Sequence, residues 1–239
     1  MLLTDAQREQ LKKQLALHDR ASGMQSIELS DGVRLDLFIE RGVFGSDIMS
    51  SGLYLARFLY KRQDLYRGRA CLDMGCGPGT QGLVMGSYGA ASVVFADVSE
   101  KAIDDTKRNV ELHRLTHATA YVSDLFSGLP VNQRYDVIVF NHPFFPERAE
   151  RFEDDPMHDI ELQRTMLGGT ALVRRFFSGA GSFLNKNGIL IMPYFYFAGP
   201  ENDPRTHAGR AGFAIREDEK IQSTTGLQRG EISISVFTR

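Results

Sequence analysis

The chain has 239 residues, which is enough for one substantial hydrophobic core, and we expect a single α/β domain behind a short leading element. Its formal net charge of −2 gives no global electrostatic reason to bind a polyanion, although a local basic patch is compatible with it. No apolar run reaches the roughly 18 residues of a membrane span, and the amino terminus lacks a signal-peptide pattern, so we expect a cytoplasmic protein. Cys71 and Cys76 are too few for a disulfide framework or a metal site, and no metal is predicted.

The leading element is expected to be an amphipathic helix over residues 4–18 followed by a β-hairpin. The hairpin is indicated by alternating apolar residues on both sides of a turn at residues 30–32. We predict that residues 1–41 form a cover and that residues 42–239 form the main domain. Ser50 to Gly52 then open a helix that precedes the first central strand.

From Ala70 onward, apolar strands alternate with helical segments, which is typical of a doubly wound parallel sheet. The predicted strands lie near residues 70–74, 92–96, 119–122, 135–140 and 188–194. The predicted helices lie near residues 80–88, 99–113 and 163–184. Two further strands near residues 220–225 and 231–237 are expected to pair antiparallel about Gly230 and to complete a mostly parallel sheet of seven strands.

A glycine-rich loop at residues 75–79 joins the first central strand to a helix, as in nucleotide-binding βαβ units. Asp97 ends the next strand about 20 residues later, where a carboxylate accepts hydrogen bonds from ribose hydroxyls. Asp73 precedes the glycines, and a second acid there would repel a pyrophosphate but attract a cation. Acids on both sides of the loop therefore favour S-adenosylmethionine over NAD.

Five blocks, in this order along roughly residues 42–195, resemble the class I methyltransferases and specifically their small-domain branch. They occupy residues 42–47, 72–77, 96–99, 122–126 and 135–144. The resemblance implies a Rossmann-like fold and S-adenosylmethionine as cofactor. The branch includes enzymes that methylate guanine or adenine nitrogens in RNA and others that methylate the glutamine side-chain amide of release factors.

The predicted cofactor-binding residues follow from the glycine loop and from this resemblance. The resemblance assigns Asp124 to the adenine amino group, whereas a simpler interpretation makes Asp124 the cap of a turn. The full predicted cofactor set is Asp73, Gly75, Cys76, Gly77, Asp97, Val98, Asp124, Leu125 and Asn141.

Residues 141–144, Asn-His-Pro-Phe, resemble the Asn/Asp-Pro-Pro-aromatic tetrapeptide of nitrogen methyltransferases. The resemblance implies that the Asn141 side chain and the His142 carbonyl accept substrate N–H groups, while Phe144 packs on a planar acceptor. These three residues are the predicted catalytic set. His142 replaces the usual proline, and its side chain is open to three interpretations: general base, substrate contact or solvent-facing group.

Further substrate contacts are predicted from aromatic and proline residues near this motif, namely Pro143, Phe145, Tyr194 and Tyr196. Residues 147–155 carry five acids and two bases, and we expect them to form a lid. An acidic lid would repel RNA phosphates and attract an amine, so nucleic acid is the less favoured partner.

These observations predict a transferase that methylates nitrogen on a small amine-bearing metabolite or a protein side-chain amide. The first alternative is an RNA base methyltransferase. A second alternative is an enzyme that closes the aminobutyrate portion of the cofactor into a ring and releases methylthioadenosine. A third is a non-catalytic cofactor-binding partner of another subunit. The sequence leaves the acceptor and the oligomeric state open.

Overall fold

The computed structural model describes residues 4–6, 9, 12–13, 22–43, 45, 50–144, 168–223 and 230–239. The strands of the described chain are β1 (Gly23–Ser30), β2 (Val33–Ile39), β3 (Ala70–Met74), β4 (Ser92–Asp97), β5 (Ala118–Val122), β6 (Tyr135–Phe140), β7 (Leu184–Phe195), β8 (Ala214–Ser223) and β9 (Gly230–Thr238). The helices are α1 (Ser50–Lys61), α2 (Thr80–Ser87), α3 (Glu100–Leu112), α4 (Gly169–Phe183) and α5 (Pro204–Ala208).

Strands β3 to β9 form one sheet of seven strands in the order β5-β4-β3-β6-β7-β9-β8. Strands β5, β4, β3, β6 and β7 run parallel, whereas β9 pairs antiparallel with both β7 and β8. The predicted doubly wound, mostly parallel sheet is therefore confirmed. The order of strands reverses between β3 and β6, and an open α/β sheet binds ligands at the carboxyl ends of its strands next to such a reversal.

Alternation along the strands gives two large clusters of buried hydrophobic side chains, one on each face of the sheet. One cluster packs the hairpin, α1, α2 and α3 against residues such as Val137 and Val139. The other packs α4 against residues such as Leu72 and Ile138. Helices thus cover both faces, and the polar carboxyl ends of the strands are left for a site.

The predicted hairpin is present as β1 and β2, which pair antiparallel across a turn with Gly32 at a φ of +72°. Its apolar residues belong to the same buried cluster as α1 and α3, and Arg57 of α1 donates a 2.8 Å hydrogen bond to the Glu28 carbonyl. The predicted division between residues 41 and 42 stays a prediction. Most of the predicted helix at residues 4–18 lies outside the described residues. Across the part of the chain that is described, every helix is too short or too polar to cross a lipid bilayer.

Candidate functional site

The candidate site lies where β3, β4 and β6 reach their carboxyl ends. Met74 pairs with Phe140, so the two loops that follow, which begin at Gly75 and Asn141, leave the sheet side by side. Gly75 has a φ of +60°, and a Cβ added there would lie 3.0 Å from the Phe140 ring. Because both the conformation and the space exclude a side chain, this position requires glycine. Gly75 itself is exposed, so its backbone is open to whatever binds above the sheet.

Asp73 holds the first turn of α2 against the sheet. Its Oδ2 accepts a 2.7 Å hydrogen bond from the Gly82 N–H, and the absence of a Gly82 side chain lets α2 approach Phe95 closely. The other oxygen, Oδ1, is buried and has no hydrogen-bond partner among the described residues. The pKa of Asp73 is raised to about 7, mainly by burial and to a smaller extent by the neighbouring Asp97, although the hydrogen bond from the Gly82 N–H opposes the rise. Asp73 therefore connects β3 to α2 through one carboxylate oxygen, while its other oxygen lacks a hydrogen-bond partner among the described residues.

Asp97 connects the end of β4 to the glycine loop. One carboxylate oxygen accepts the Gly77 N–H at 2.9 Å, and the other accepts the Ser99 N–H at 2.9 Å. Burial raises the pKa of Asp97, and these backbone N–H groups oppose that shift. The next residue, Val98, is about half exposed, at 53%, although it is apolar. An acid beside an uncovered apolar side chain is suited to a ligand with both a polar and a planar apolar part.

The polar face of α3 was not singled out from the sequence, although it supports the glycine loop. Thr106 Oγ1 donates to the Gly77 carbonyl at 2.8 Å, and Asn109 Nδ2 donates to the Pro78 carbonyl at 2.9 Å. Cys76 is buried, and its Sγ lies 3.4 Å from Thr106 Oγ1. The sequence does contain a signal for this role, because Thr106 and Asn109 are polar residues at helical spacing on the side of α3 that is expected to face the core.

Asp124 lies after β5, on a loop whose backbone is strained at Leu125, a non-glycine residue with a φ of +51°. Arg175 of α4 donates a 2.6 Å hydrogen bond to Asp124 Oδ2, and both side chains are about half exposed. The predicted adenine contact therefore depends on the remaining carboxylate oxygen or on release of Arg175.

Asn141 follows β6 beside the glycine loop, as the chain order predicted. Its Oδ1 is buried and has no hydrogen-bond partner within the described part of the chain. A buried, unsatisfied amide oxygen is uncommon because it costs free energy in the absence of a partner. Here it lies at the predicted catalytic position.

The His142 side chain is buried, so the interpretation that it faces solvent is wrong. Both ring nitrogens lack a well-formed hydrogen bond to any described residue. Burial lowers the pKa of His142 to about 4, while the Asn202 backbone and the Asp203 carboxylate oppose part of that shift. The ring is neutral near pH 7 and packs edge-on to Phe144, with the ring centres 4.9 Å apart. His142 is therefore a packed side chain within the motif.

Two of the residues predicted to contact the substrate, Tyr194 and Tyr196, already contact other residues of the protein. The Tyr194 side chain is buried, and its hydroxyl donates to the Gly199 carbonyl, which makes it a core residue. Strand β7 ends at Phe195, so the expected alternation does not continue through Tyr196, which begins a 3-10 turn. The Arg205 guanidinium lies 5.0 Å from the Tyr196 ring centre and 5.8 Å from that of Tyr194. Both rings therefore already contact a cationic side chain of the protein.

Phe144 is also buried, in a small cluster with Tyr194 and Phe195, and Pro143 is partly exposed. Phe145 and the predicted acidic lid at residues 147–155 lie outside the described residues. The same holds for Phe44, Ser46 and Asp47 of the first resembling block.

The chain is similar to known methyltransferases over part of their lengths. The chain is 31% identical over 126 residues to a release factor glutamine methyltransferase of Rhodopirellula baltica, a match that covers 51% of this chain and 43% of that protein. It is 33% identical over 102 residues to ribosomal RNA small subunit methyltransferase C of Haemophilus ducreyi, covering 42% of this chain and 30% of that protein.

Among solved structures, the 16S rRNA N2 G1207 methyltransferase of Thermus thermophilus, in complex with AdoMet and guanosine, superposes with a TM-score of 0.64. This match covers 92% of this chain and 51% of the other at 20% identity, which shows a shared fold. The chain thus spans about half or less of each of the three proteins. Residues 34–155 match the family model described as methyltransferase small domain. Since that range is just over half of the sequence and includes β3, the glycine loop and Asn141, the chain belongs to the methyltransferase small domain family.

Proposed function

We propose that this chain is an S-adenosylmethionine-dependent methyltransferase that acts on a nitrogen atom. The observation that carries the proposal is Asn141 Oδ1, a buried acceptor without a partner in the described chain, directly after β6 and beside the glycine loop. An acceptor oxygen at this position can receive an N–H of an amide or an exocyclic amine and so orient that nitrogen. Orientation accounts for much of the rate of a displacement reaction, and no strong base is needed.

The residues at the carboxyl ends of β3 and β4 fit the cofactor. Asp73 Oδ1 is a second buried acceptor without a described partner, and it suits a cationic amine. Asp97 is proposed to accept hydrogen bonds from ribose hydroxyls, and the exposed Val98 next to it would offer an apolar surface to the adenine ring. When bound, S-adenosylmethionine supplies an activated methyl group on a sulfonium. Asp73, Gly75, Gly77, Asp97 and Val98 would hold it, with Cys76, Asp124 and Leu125 completing the set, and Asn141 is assigned to the acceptor.

The acceptor is proposed to be a protein side-chain amide or a small amine, with an RNA base as the second candidate. The acidic segment at residues 147–155, which disfavours RNA by its charge, lies outside the described residues. The names of the relatives support both candidates, since one is a glutamine methyltransferase and the other a ribosomal RNA methyltransferase. The features common to the two acceptors are a planar nitrogen and an N–H group for Asn141.

The proposal is tested by incubating the full chain with methyl-labelled S-adenosylmethionine and, separately, with cellular protein, RNA and small-molecule extracts. Both the nucleoside product and the labelled acceptor are then identified by mass spectrometry. We expect S-adenosylhomocysteine together with a methylated nitrogen in one of the three extracts. Methylthioadenosine without a labelled acceptor would instead establish ring closure, and tight binding without turnover in any extract would establish a non-catalytic role.

A further inference from the structure

A basic cavity lies on the α4 side of the sheet, and one of its lining residues, His207, contributes to the pKa shift of His142. It has a volume of about 620 Å³ and is lined by Arg174 and Ser178 of α4, by His207 of α5, by Arg210 and by Arg239. Arg239 follows Thr238, which pairs with Ile189 near the amino-terminal part of β7, whereas Asn141 follows the carboxyl end of β6. Arg239 therefore lies toward the amino ends of the parallel strands, whereas Asn141 follows their carboxyl ends.

The charge of this cavity is unbalanced. Its described lining contains three arginines and no aspartate or glutamate, although the whole chain has a net charge of −2. The Arg174 and Arg210 side chains form no ion pair with any described residue, in contrast to Arg175 and Arg205, which pair with Asp124 and Asp203. Guanidinium groups that converge without acids raise the local potential and attract anions.

Two features indicate that the cavity is built rather than accidental. Arg239 Nη1 donates a 3.2 Å hydrogen bond to the Gly181 carbonyl, which fixes that guanidinium against α4. His207 is buried, and its Nε2 lies 2.8 Å from the Glu201 carbonyl, to which it donates. The Nε2 hydrogen bond fixes the His207 ring in the wall of the cavity.

We propose that this cavity binds a phosphate group, with Arg174, Arg210 and Arg239 as the charged contacts. Guanidinium forks match the geometry of phosphate oxygens and bind them through two parallel hydrogen bonds. The phosphate belongs either to a small phosphorylated solute or to the backbone of a nucleic acid. The inference is independent of the proposed methyl transfer, because it uses none of the residues of the cofactor or acceptor sites.

The test is calorimetric titration of the full chain with pyrophosphate and, separately, with a single-stranded RNA oligonucleotide, each at low and at moderate salt. The variant carries Arg174→Gln and Arg210→Gln, two exposed positions whose loss should leave the fold intact. Arg34→Gln on the exposed surface of β2 is the single-charge control. We expect at least one probe to bind wild type, and the double variant to bind that probe at least tenfold more weakly while the control is unchanged.

The two probes distinguish the source of the phosphate. Pyrophosphate binding that depends on the cavity arginines identifies a small-solute site. Binding of RNA alone, with a steep decrease in affinity as salt rises, identifies backbone contacts. The inference is overturned if neither probe binds the wild-type chain, or if the double variant, shown to be folded by circular dichroism, binds as tightly as wild type.

Discussion

Asn109 forms a two-way hydrogen-bond pair with the backbone of Phe38. Its Oδ1 accepts the Phe38 N–H at 2.7 Å, and its Nδ2 donates to the Phe38 carbonyl at 2.8 Å and also to the Pro78 carbonyl at 2.9 Å. One side chain of α3 therefore connects the hairpin to the glycine loop. A second connection lies nearby, where Asp105 Oδ2 accepts the Glu40 N–H at 2.6 Å. The hairpin is thus attached to the structure that supports the candidate site.

Replacement of Asn109 by alanine is expected to destabilise the protein by about 2–4 kcal/mol, because three backbone groups lose their buried partner. Urea denaturation followed by circular dichroism measures this loss. Glu111→Ala, an exposed position at the end of the same helix, is the control and should change the free energy of unfolding by at most about 0.5 kcal/mol. Equal stability of the two variants would show that the connection contributes nothing.

The fold was predictable because its signals are local. Apolar strands, the glycines after β3 and the alternation in the hairpin each depend on a few neighbouring residues, and the structure has these elements close to the predicted positions. The links made by Asn109 and Asp105 were not predictable, since they join residues 71 and 65 positions apart in the sequence. The same reason explains His142, whose burial depends on contacts with the distant segment that contains Asn202 and Asp203.

The side-chain directions of the aromatic residues at the end of β7 could not be predicted from the sequence for a different reason. Alternation predicts which side chains share a face only while the strand continues, and β7 ends at Phe195. The position of Tyr196 is then determined by the 3-10 turn and by Arg205, which is itself held by Asp203. No local pattern in the sequence carries that information.

Asp97→Asn is expected to weaken the binding of S-adenosylhomocysteine by about 1–3 kcal/mol, or roughly 5-fold to 150-fold. The amide keeps one acceptor oxygen, but its NH₂ group cannot accept from Gly77, Ser99 or a ribose hydroxyl. Isothermal titration calorimetry measures the affinity, and thermal unfolding checks that the variant is folded. Asp104→Asn, an exposed acid on α3, should bind as wild type does. Unchanged affinity in a folded Asp97 variant would remove Asp97 from the cofactor site.

Asp73 is expected to make cofactor binding dependent on pH. Its pKa is raised from 3.8 to about 7, so the free protein holds the neutral acid below that pH, whereas a cationic amine favours the carboxylate. Affinity for S-adenosylmethionine should therefore rise with pH through about 7, by at most about tenfold per pH unit from this group. The readout is the difference between wild type and Asp73→Asn, in which this contribution is absent. Parallel pH profiles for the two proteins would contradict the assignment.

The raised pKa of Asp73 also makes the free energy of unfolding depend on pH. Because the folded state favours protonated Asp73, the stability that this group contributes is present below the unfolded pKa of about 3.9 and is lost as pH rises through about 7. Asp73→Asn should therefore lose less stability than wild type between pH 5 and pH 8. Urea denaturation at several pH values measures this difference.

His142 is expected to make the protein less stable as pH falls, which is opposite to the effect of Asp73. Its pKa is lowered from 6.5 to about 4, so its contribution to stability is present above about 6.5 and is lost as pH falls toward 4. The loss amounts to about 3 kcal/mol at most. His142→Gln, which does not titrate in this range, should be less sensitive to acid than wild type. Identical acid sensitivity of the two proteins would mean that the buried ring does not titrate in the folded state.

Asn141→Ala is expected to reduce kcat by about 10²-fold or more, because the acceptor nitrogen loses the group that orients it. The affinity for S-adenosylhomocysteine should change little, since the charged contacts at Asp73 and Asp97 remain. Turnover is measured with the acceptor that the labelled-cofactor experiment yields, and affinity is measured by calorimetry. Asn132→Ala, in the exposed loop before β6, is the matched control and should retain wild-type turnover. If the Asn141 variant loses cofactor affinity to the same extent as turnover, Asn141 belongs to the cofactor site, and the acceptor must be oriented by other residues of this edge of the sheet.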